Sequence, residues 1–102
     1  MGKDMVLDLR KKIMPVVKKQ KLQKVVLFGS RARGDNSPDS DYDFYVDAPG
    51  INSLFAFGGL CIDFENALKK DVDLVMAPDK YTQIKQSLLD NIYREGVVIY
   101  EE

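Results

Sequence analysis

Residues 25–47 read VVLFGSRARGDNSPDSDYDFYVD and contain the clearest structural pattern of the chain. This stretch opens with four apolar residues, 25–28, which Gly29 stops, and such a run is typical of a central strand buried on both faces. It closes with a strict alternation from Asp41 to Asp47, in which Tyr42, Phe44 and Val46 share one side. That alternation predicts a half-buried strand. Residues 29–40, rich in Gly, Asn, Ser, Pro and Asp, predict a loop or a loop with one helical turn.

Two amphipathic helices are predicted on either side of this stretch. The first has apolar residues at helical spacing before residue 18, and Pro15 is expected to kink it or end it early. Its apolar positions are Val6, Leu9, Ile13 and Val16 or Val17. The second is capped by Asn52 or Ser53, and Gly58-Gly59 weakens it without excluding it. Its apolar face consists of Leu54, Phe57, Cys61, Phe64 and Leu68.

The last third of the chain predicts strand, helix and strand. Residues 72–76 form the third strand, and Pro78-Asp79 begins a helix that Gly96 stops. The apolar residues of that helix are Tyr81, Ile84, Leu88, Leu89 and Ile92. Residues 97–100 form a strand at a sheet edge. The order α-β-loop-β-α-β-α-β therefore indicates an α/β (α+β) fold, a small mixed β-sheet with helices packed against it.

Composition excludes several classes of protein. A chain of 102 residues fits one domain, 1–102, and its net charge of −1 offers no field that would attract a nucleic acid. Histidine is absent, which removes histidine-based nucleophile arrangements and metal sites, and Cys61 is the one cysteine, which removes thiolate zinc sites and an intrachain disulfide. Neither a membrane-spanning stretch nor a signal peptide is recognisable, so we expect a cytoplasmic protein.

Asp41 and Asp43 are the most informative pair of acids. Residues two apart on a strand project to the same face with Cα atoms about 6.5 Å apart, so their carboxylates can converge. Close carboxylates repel each other unless a cation lies between them, and oxygen ligands favour Mg²⁺ or Mn²⁺. Asp73, the single charged residue of the third strand, is expected to face outward beside them. Three such acids suit in-line displacement at phosphorus, with Asp73 as the candidate base.

Gly29-Ser30 directly follows the central strand, where a turn can direct backbone N–H groups and a hydroxyl at phosphate oxygens. Gly34 lets the loop return without hindrance from a Cβ atom. Arg31 and Arg33 supply forked donors for a triphosphate, although either could instead be a solvated loop charge. The Gly-Lys-Ser/Thr ending of a Walker loop is missing.

These residues resemble a known family. Gly29-Ser30, ten residues and then Asp41-Tyr42-Asp43 is similar to the signature of the DNA polymerase β-type nucleotidyltransferase superfamily. The longer matches at residues 27–34 and 40–44, which include Ser40, resemble its minimal branch, the MNT antitoxins paired with HEPN toxins. The resemblance implies that Asp41, Asp43 and Asp73 bind magnesium and that Gly29, Ser30 and the nearby loop residues hold ATP. It also implies AMP transfer to a tyrosine of a HEPN-family toxin, which silences that toxin's RNase activity.

Two functions compete at this stage. The chain is either an active transferase or an antitoxin that acts by binding, with nucleotide or metal in a structural or regulatory role. Three acids on one surface favour the transferase. A transferase acting on a small molecule is disfavoured because 102 residues leave no room for a second substrate domain, so a partner or a homodimer must bind the acceptor.

Overall fold

Helices and strands alternate along the chain. A computed structural model describes residues 2–77 and 86–102, and for residues 77 and 86–89 it describes the backbone only. The elements are α1 (Lys3–Gln20), β1 (Lys24–Phe28), α2 (Ser30–Arg33), β2 (Tyr42–Asp47), α3 (Leu54–Leu68), β3 (Val72–Ala77), α4 (Gln86–Glu95) and β4 (Val97–Glu101). The predicted element order and fold class are confirmed. The predicted helix entry at Pro78-Asp79, together with Tyr81 and Ile84, lies outside the described residues, as do the side chains of Leu88 and Leu89.

The four strands form one mixed sheet in the order β3-β2-β1-β4. Strand β1 pairs antiparallel with both β2 and β4, whereas β2 and β3 run parallel. A parallel pair needs a crossover between its strands, and α3 is the element that connects them. The position of β1 inside the sheet and of β4 at an edge agrees with the sequence prediction.

Each face of the sheet has its own apolar cluster. Phe44 and Val46 are fully buried in the larger cluster, which α1 and α3 cover, and Val25 and Leu27 of β1 belong to it too. On the opposite face, the smaller cluster joins Val26 and Phe28 to Ile92 of α4. Because side chains alternate along a strand, β1 contributes to both clusters, which explains why its sequence is wholly apolar.

Helix α1 does not end at Pro15, so one of the two outcomes expected from the sequence, an early end, is wrong. It continues to Gln20, and Pro15 is exposed. An interior proline costs about 3 kcal/mol. Burying a valine side chain stabilises by about 1.5–3 kcal/mol, and Val16 and Val17 are both buried after the proline. Packing of the last turn therefore outweighs the proline.

Helix α3 begins at a serine cap, where the Ser53 hydroxyl accepts a hydrogen bond of 3.0 Å from the backbone N–H of Ala56. Leu54 was predicted to be in the core, but it is 70% exposed, and Leu60 is fully buried instead. The buried stripe of α3 is Phe57, Leu60 and Phe64, and Leu54 lies in the first turn at the flank of that stripe. In the described parts of the chain, no helix is long and apolar enough to cross a membrane.

Candidate active site

Four residues that the sequence analysis identified lie at one end of the sheet, where β1 ends and β2 and β3 begin. Phe28, directly before Gly29, is the register partner of Asp43, and Asp43 is in turn the register partner of Asp73. Neighbouring strands lie about 4.8 Å apart, so these backbones are adjacent. Asp41 immediately precedes β2 and is exposed at the same end of the sheet. The structure therefore places Asp43 beside Gly29 and Asp73, with Asp41 at the same end of the sheet.

Gly29 is required at its position for two physical reasons. Its backbone has φ +76° and ψ −157°, a region that only glycine adopts readily. A Cβ atom there would overlap the Oδ2 atom of Asp43 and would lie 3.1 Å from its Cγ atom. The absent side chain thus leaves the room in which the Asp43 carboxylate sits.

Ser30 begins α2, the single helical turn that follows Gly29. The backbone carbonyl of Ser30 accepts hydrogen bonds from the N–H groups of Gly34 and Asp35, at 2.9 and 3.1 Å. Gly34 has φ +85° and closes the turn in the left-handed conformation, as expected for a residue without Cβ hindrance. The Ser30 hydroxyl forms no hydrogen bond with any residue in the described ranges, so it is available to a ligand.

Arg31 and Ser40 use their polar groups within the loop that leads to Asp41. The Arg31 guanidinium donates to the Ser40 carbonyl through Nε at 3.0 Å and Nη2 at 2.7 Å, and to the Pro38 carbonyl at 3.3 Å. Its Cζ atom also lies 4.1 Å from the centre of the Tyr42 ring. The Ser40 hydroxyl accepts from the Ser37 backbone N–H at 3.0 Å. The contacts of Arg31 were missed in the sequence analysis, because they join residues seven to eleven positions apart in the chain.

Arg33 is exposed and joins α2 to α4. Its Nε atom lies 3.0 Å from Asp35 Oδ2, and its Nη1 atom lies 3.3 Å from Glu95 Oε2. Hydrogen bonds to Asp35 and then to Glu95 raise the pKa of the guanidinium above its ordinary value. Its positive charge also reaches the acid cluster, because it acts to lower the pKa of Asp43.

The carboxyl groups of Asp41, Asp43 and Asp73 interact electrostatically. Burial of the half-exposed Asp43 side chain raises the pKa of its carboxyl, and the charges of Asp73 and Asp41 and a hydrogen bond with Asp73 raise it further. These effects outweigh the opposing charge of Arg33. A carboxyl with a raised pKa, next to two others, is a site that favours a positive charge or a proton.

The carboxylates of Asp41, Asp43 and Asp73 suit a hard divalent cation, but they do not surround one position closely. No three acidic, cysteine or histidine side chains within residues 2–77 and 86–102 are grouped closely enough to enclose an ion. The acids therefore do not enclose an ion by themselves, and the expectation that Asp41, Asp43 and Asp73 bind a metal stays a prediction. Mg²⁺ is commonly held by one or two carboxylates together with substrate phosphates and water, so Asp41 and Asp43 still suit it.

A cleft that the sequence did not predict adjoins the acids. It encloses about 410 Å³ and is lined by Asp39, Asp41, Glu65, Lys69, Lys70 and Asp71. A larger groove of about 580 Å³ lies at the opposite end of the sheet, between the end of α1, Gly50 and Tyr100, and contains none of the three acids. We regard the smaller cleft as the relevant one because Asp41 belongs to it.

Sequence comparison finds relatives over nearly the whole chain. Residues 11–102 match the family described as Polymerase beta, Nucleotidyltransferase. Two proteins of Methanocaldococcus jannaschii, both named as candidate protein adenylyltransferases, are each 31% identical to this chain over 90 residues. The matches cover 88% and 87% of this chain and 92% and 90% of the two relatives.

Structural comparison finds the same architecture in toxin-antitoxin structures. A chain from the crystal structure of a toxin-antitoxin with AMP-PNP is 27% identical, with a TM-score of 0.74 over 91% of this chain and 73% of that chain. A chain from the complex of a tri-AMPylated Shewanella oneidensis HEPN toxin with an MNT antitoxin is 25% identical, with a TM-score of 0.69 over 96% and 74%. A candidate minimal nucleotidyltransferase is 25% identical, with a TM-score of 0.70 over 95% of each chain.

Proposed function

The chain belongs to the polymerase beta nucleotidyltransferase family, and on that premise we propose that it transfers AMP from ATP to a tyrosine of a HEPN-type partner toxin and so neutralises the toxin. The observation that supports this most is the pairing of Asp43 with Asp73 across β2 and β3, directly beside Gly29. The toxin-antitoxin structures similar to this chain support the choice of partner.

The nucleotide phosphates are assigned to the turn between β1 and α2. Gly29 has no Cβ atom, Ser30 offers a hydroxyl that bonds to none of the described residues, and Gly34 ends the turn in the left-handed conformation. Arg33 contributes positive charge next to the acids. Asp41 and Asp43, with Asp73, are the residues that would hold Mg²⁺ or Mn²⁺. A bound divalent cation supplies positive charge for the entering and leaving oxygens of the transfer.

The proposed transfer is a single displacement at the α-phosphorus of ATP. The tyrosine oxygen forms a bond to that phosphorus, the bond to the bridging oxygen of pyrophosphate breaks, and pyrophosphate leaves. Asp73 accepts the proton of the tyrosine hydroxyl. Asp73 suits this role because it is exposed and lies beside Asp43.

Arg31 and Ser40 act as positioning residues in this scheme. Three hydrogen bonds from Arg31 to the carbonyls of Pro38 and Ser40 hold the backbone immediately before Asp41. A guanidinium that also stacks on an aromatic ring is worth about 0.5–2 kcal/mol from the stacking alone. We therefore assign both residues to the orientation of Asp41, and direct contact of Arg31 or Ser40 with ATP is secondary.

The acceptor is assigned to a partner protein, and the 102 residues act as one nucleotidyltransferase domain, as a monomer or a homodimer. The reaction consumes ATP, so we propose a cytoplasmic setting. Nucleic acid is not proposed as a direct ligand, since the net charge is −1.

A second candidate function is neutralisation by binding without transfer. The observation that favours it is the likeness of this chain to chains of toxin-antitoxin complexes, in which antitoxin and toxin bind each other. In that case nucleotide or metal would stabilise or regulate the complex, and the acids would not take part in chemistry.

Intact mass spectrometry separates the two functions. The chain, ATP, Mg²⁺ and the partner toxin are incubated together, and the toxin is expected to gain the mass of one or more AMP units. Asp41→Asn with Asp43→Asn should abolish the gain, whereas Asp47→Asn, at the far end of the same strand, should not. Asp73→Asn should keep nucleotide binding and lose transfer. A toxin that is inhibited but never gains mass with Mg²⁺ present would support the binding function.

Nucleotide binding has a separate measurement. A ligand at 100 times its dissociation constant stabilises the folded chain by about 2.7 kcal/mol, so Mg²⁺ with ATP should raise Tm by roughly 10 °C or more. The double Asn variant should lose that rise. An equal rise in the variant would remove Asp41 and Asp43 from the metal site.

A further inference from the structure

The cleft beside Asp41 contains charged residues that have no role in the proposed transfer. Its walls come from the loop before β2 and from the end of α3 with the turn into β3. Besides Asp41 it contains three carboxylates and two lysines, Lys69 and Lys70. It is open, polar and continuous with the acids through Asp41. Such walls suit a charged peptide segment better than an apolar one.

In-line geometry indicates which side of the acids the acceptor must occupy. The attacking and leaving oxygens lie on opposite sides of the phosphorus. With the phosphates at Gly29 and Ser30, pyrophosphate leaves on the β1 side of the acids. The acceptor hydroxyl must then enter from the β3 side. The strand order β3-β2-β1-β4 puts Asp73 on that side, and the turn into β3 forms part of the cleft.

Lys69 and Lys70 are the cations of this cleft. Neither forms an ion pair with a residue that the structure describes, although four carboxylates line the same cleft. Lys69 also ends α3 in the left-handed conformation, with φ +55° and its N–H donating to the Glu65 carbonyl. Glycine is the residue that adopts this conformation at least cost. The backbone conformation at the end of α3 therefore gives no reason for a lysine at position 69.

We propose that this cleft receives the acceptor segment of the partner and that Lys69 and Lys70 bind an acidic side chain next to the acceptor hydroxyl. The inference rests on the proposed function, because it concerns the acceptor of that same reaction. Asp39, Glu65 and Asp71 then face basic side chains of the same segment. The acceptor segment accordingly carries a hydroxyl flanked by charges of both signs.

A matched pair of variants tests the inference. Lys21 ends α1 in nearly the same conformation as Lys69, with φ +55°, and lies at the opposite end of the sheet in the larger groove. Lys69→Gly and Lys21→Gly should therefore both raise Tm by a few degrees, because both remove the same backbone cost. Lys69→Gly with Lys70→Ala should raise KM for the partner toxin about tenfold and leave the affinity for Mg²⁺ with ATP unchanged. Lys21→Gly should leave both unchanged.

Each outcome decides the inference. An unchanged KM for the toxin in the Lys69→Gly, Lys70→Ala variant, with normal transfer by the original chain, would overturn the cleft assignment and leave the proposed function standing. A loss of ATP affinity in that variant would assign the lysines to the nucleotide and would overturn it as well. If the original chain transfers no AMP, the proposed transfer fails, and the dissociation constant of the toxin complex becomes the test. Lys69→Glu with Lys70→Glu should weaken that complex about tenfold, and no weakening, or no complex at all, overturns the inference.

Discussion

Gly29→Ala is expected to lower the free energy of unfolding by about 2–4 kcal/mol. Its backbone conformation, φ +76° and ψ −157°, costs a non-glycine residue about 1–3 kcal/mol. The new Cβ atom would also lie 3.1 Å from Asp43 Cγ and overlap Oδ2, and relieving an overpacked contact costs about 1 kcal/mol or more. In a domain of this size the sum corresponds to a fall in Tm of roughly 10–20 °C.

Gly34→Ala is the matched control for the backbone contribution. Gly34 has φ +85°, but a Cβ atom there would meet nothing within 4 Å. Its cost should be about 1–2 kcal/mol, from the left-handed backbone alone. The difference between the two variants, measured by urea unfolding, therefore reports the contact with Asp43.

A double-mutant cycle separates that contact from strain. In a chain that already carries Asp43→Ala, the carboxylate is gone, and Gly29→Ala should cost about 1 kcal/mol less than in the original chain. The reasoning is refuted if Gly29→Ala costs no more than Gly34→Ala and if the cycle shows no coupling beyond about 0.5 kcal/mol.

Three other perturbations follow from contacts of Asp43, Asp63 and Arg31. Asp43→Asn should raise Tm of the metal-free chain near pH 7, because the raised pKa of Asp43 means that its ionised form opposes folding. The gain in Tm should vanish below the unfolded-state pKa of about 3.9, and equal Tm values of the two proteins at every pH would contradict this prediction. Asp63→Asn should destabilise the chain by about 1 kcal/mol or less at pH 7, because hydrogen bonds from Gln20 and then Lys19 lower the pKa of Asp63. The stabilisation by Asp63 is complete above pH about 3.9 and is lost as the pH falls through the lower folded-state pKa. If the Tm curves of the two proteins stay parallel in acid, the prediction is excluded. Arg31→Lys keeps the charge and loses the forked hydrogen bonds, so the transfer rate should fall about tenfold in single-turnover assays, and an unchanged rate would indicate that only charge matters at this position.

The turn at Gly29 and the positions of the acids were predictable because their signals are local. An apolar run that stops at Gly29, and acids at alternate positions of β2, each depend on a few consecutive residues and on the period of a strand. The same local logic found the Ser53 cap, the stop at Gly96 and the edge position of β4. It also found Asp73 as an outward-facing acid, but not its register with Asp43.

Predictions that depend on the balance of distant contacts were less accurate. Pro15 was expected to kink α1 or end it early, and the early end is wrong because burial of Val16 and Val17 against other elements outweighs the local cost. Leu54 was expected to be in the core, but the side of α3 that is buried consists of Phe57, Leu60 and Phe64, and Leu54 is exposed. The contacts of Arg31 were not predicted: its guanidinium bonds to carbonyl groups seven and nine residues later in the chain, and its contact with phosphate stays a prediction.

The sequence by itself determined the kinds of chemistry open to this protein. A chain without histidine and with one cysteine must work through carboxylates, hydroxyls, arginines and backbone groups, and the order of its elements follows from periodicity. Only the tertiary structure decided that Asp73 pairs with Asp43, that the carboxylate of Asp43 fills the room left by Gly29, and that Lys69 and Lys70 share a cleft with Asp41. The physical reason is that periodicity reports which face a residue occupies, whereas strand order and register, set by packing of the whole chain, decide which faces meet.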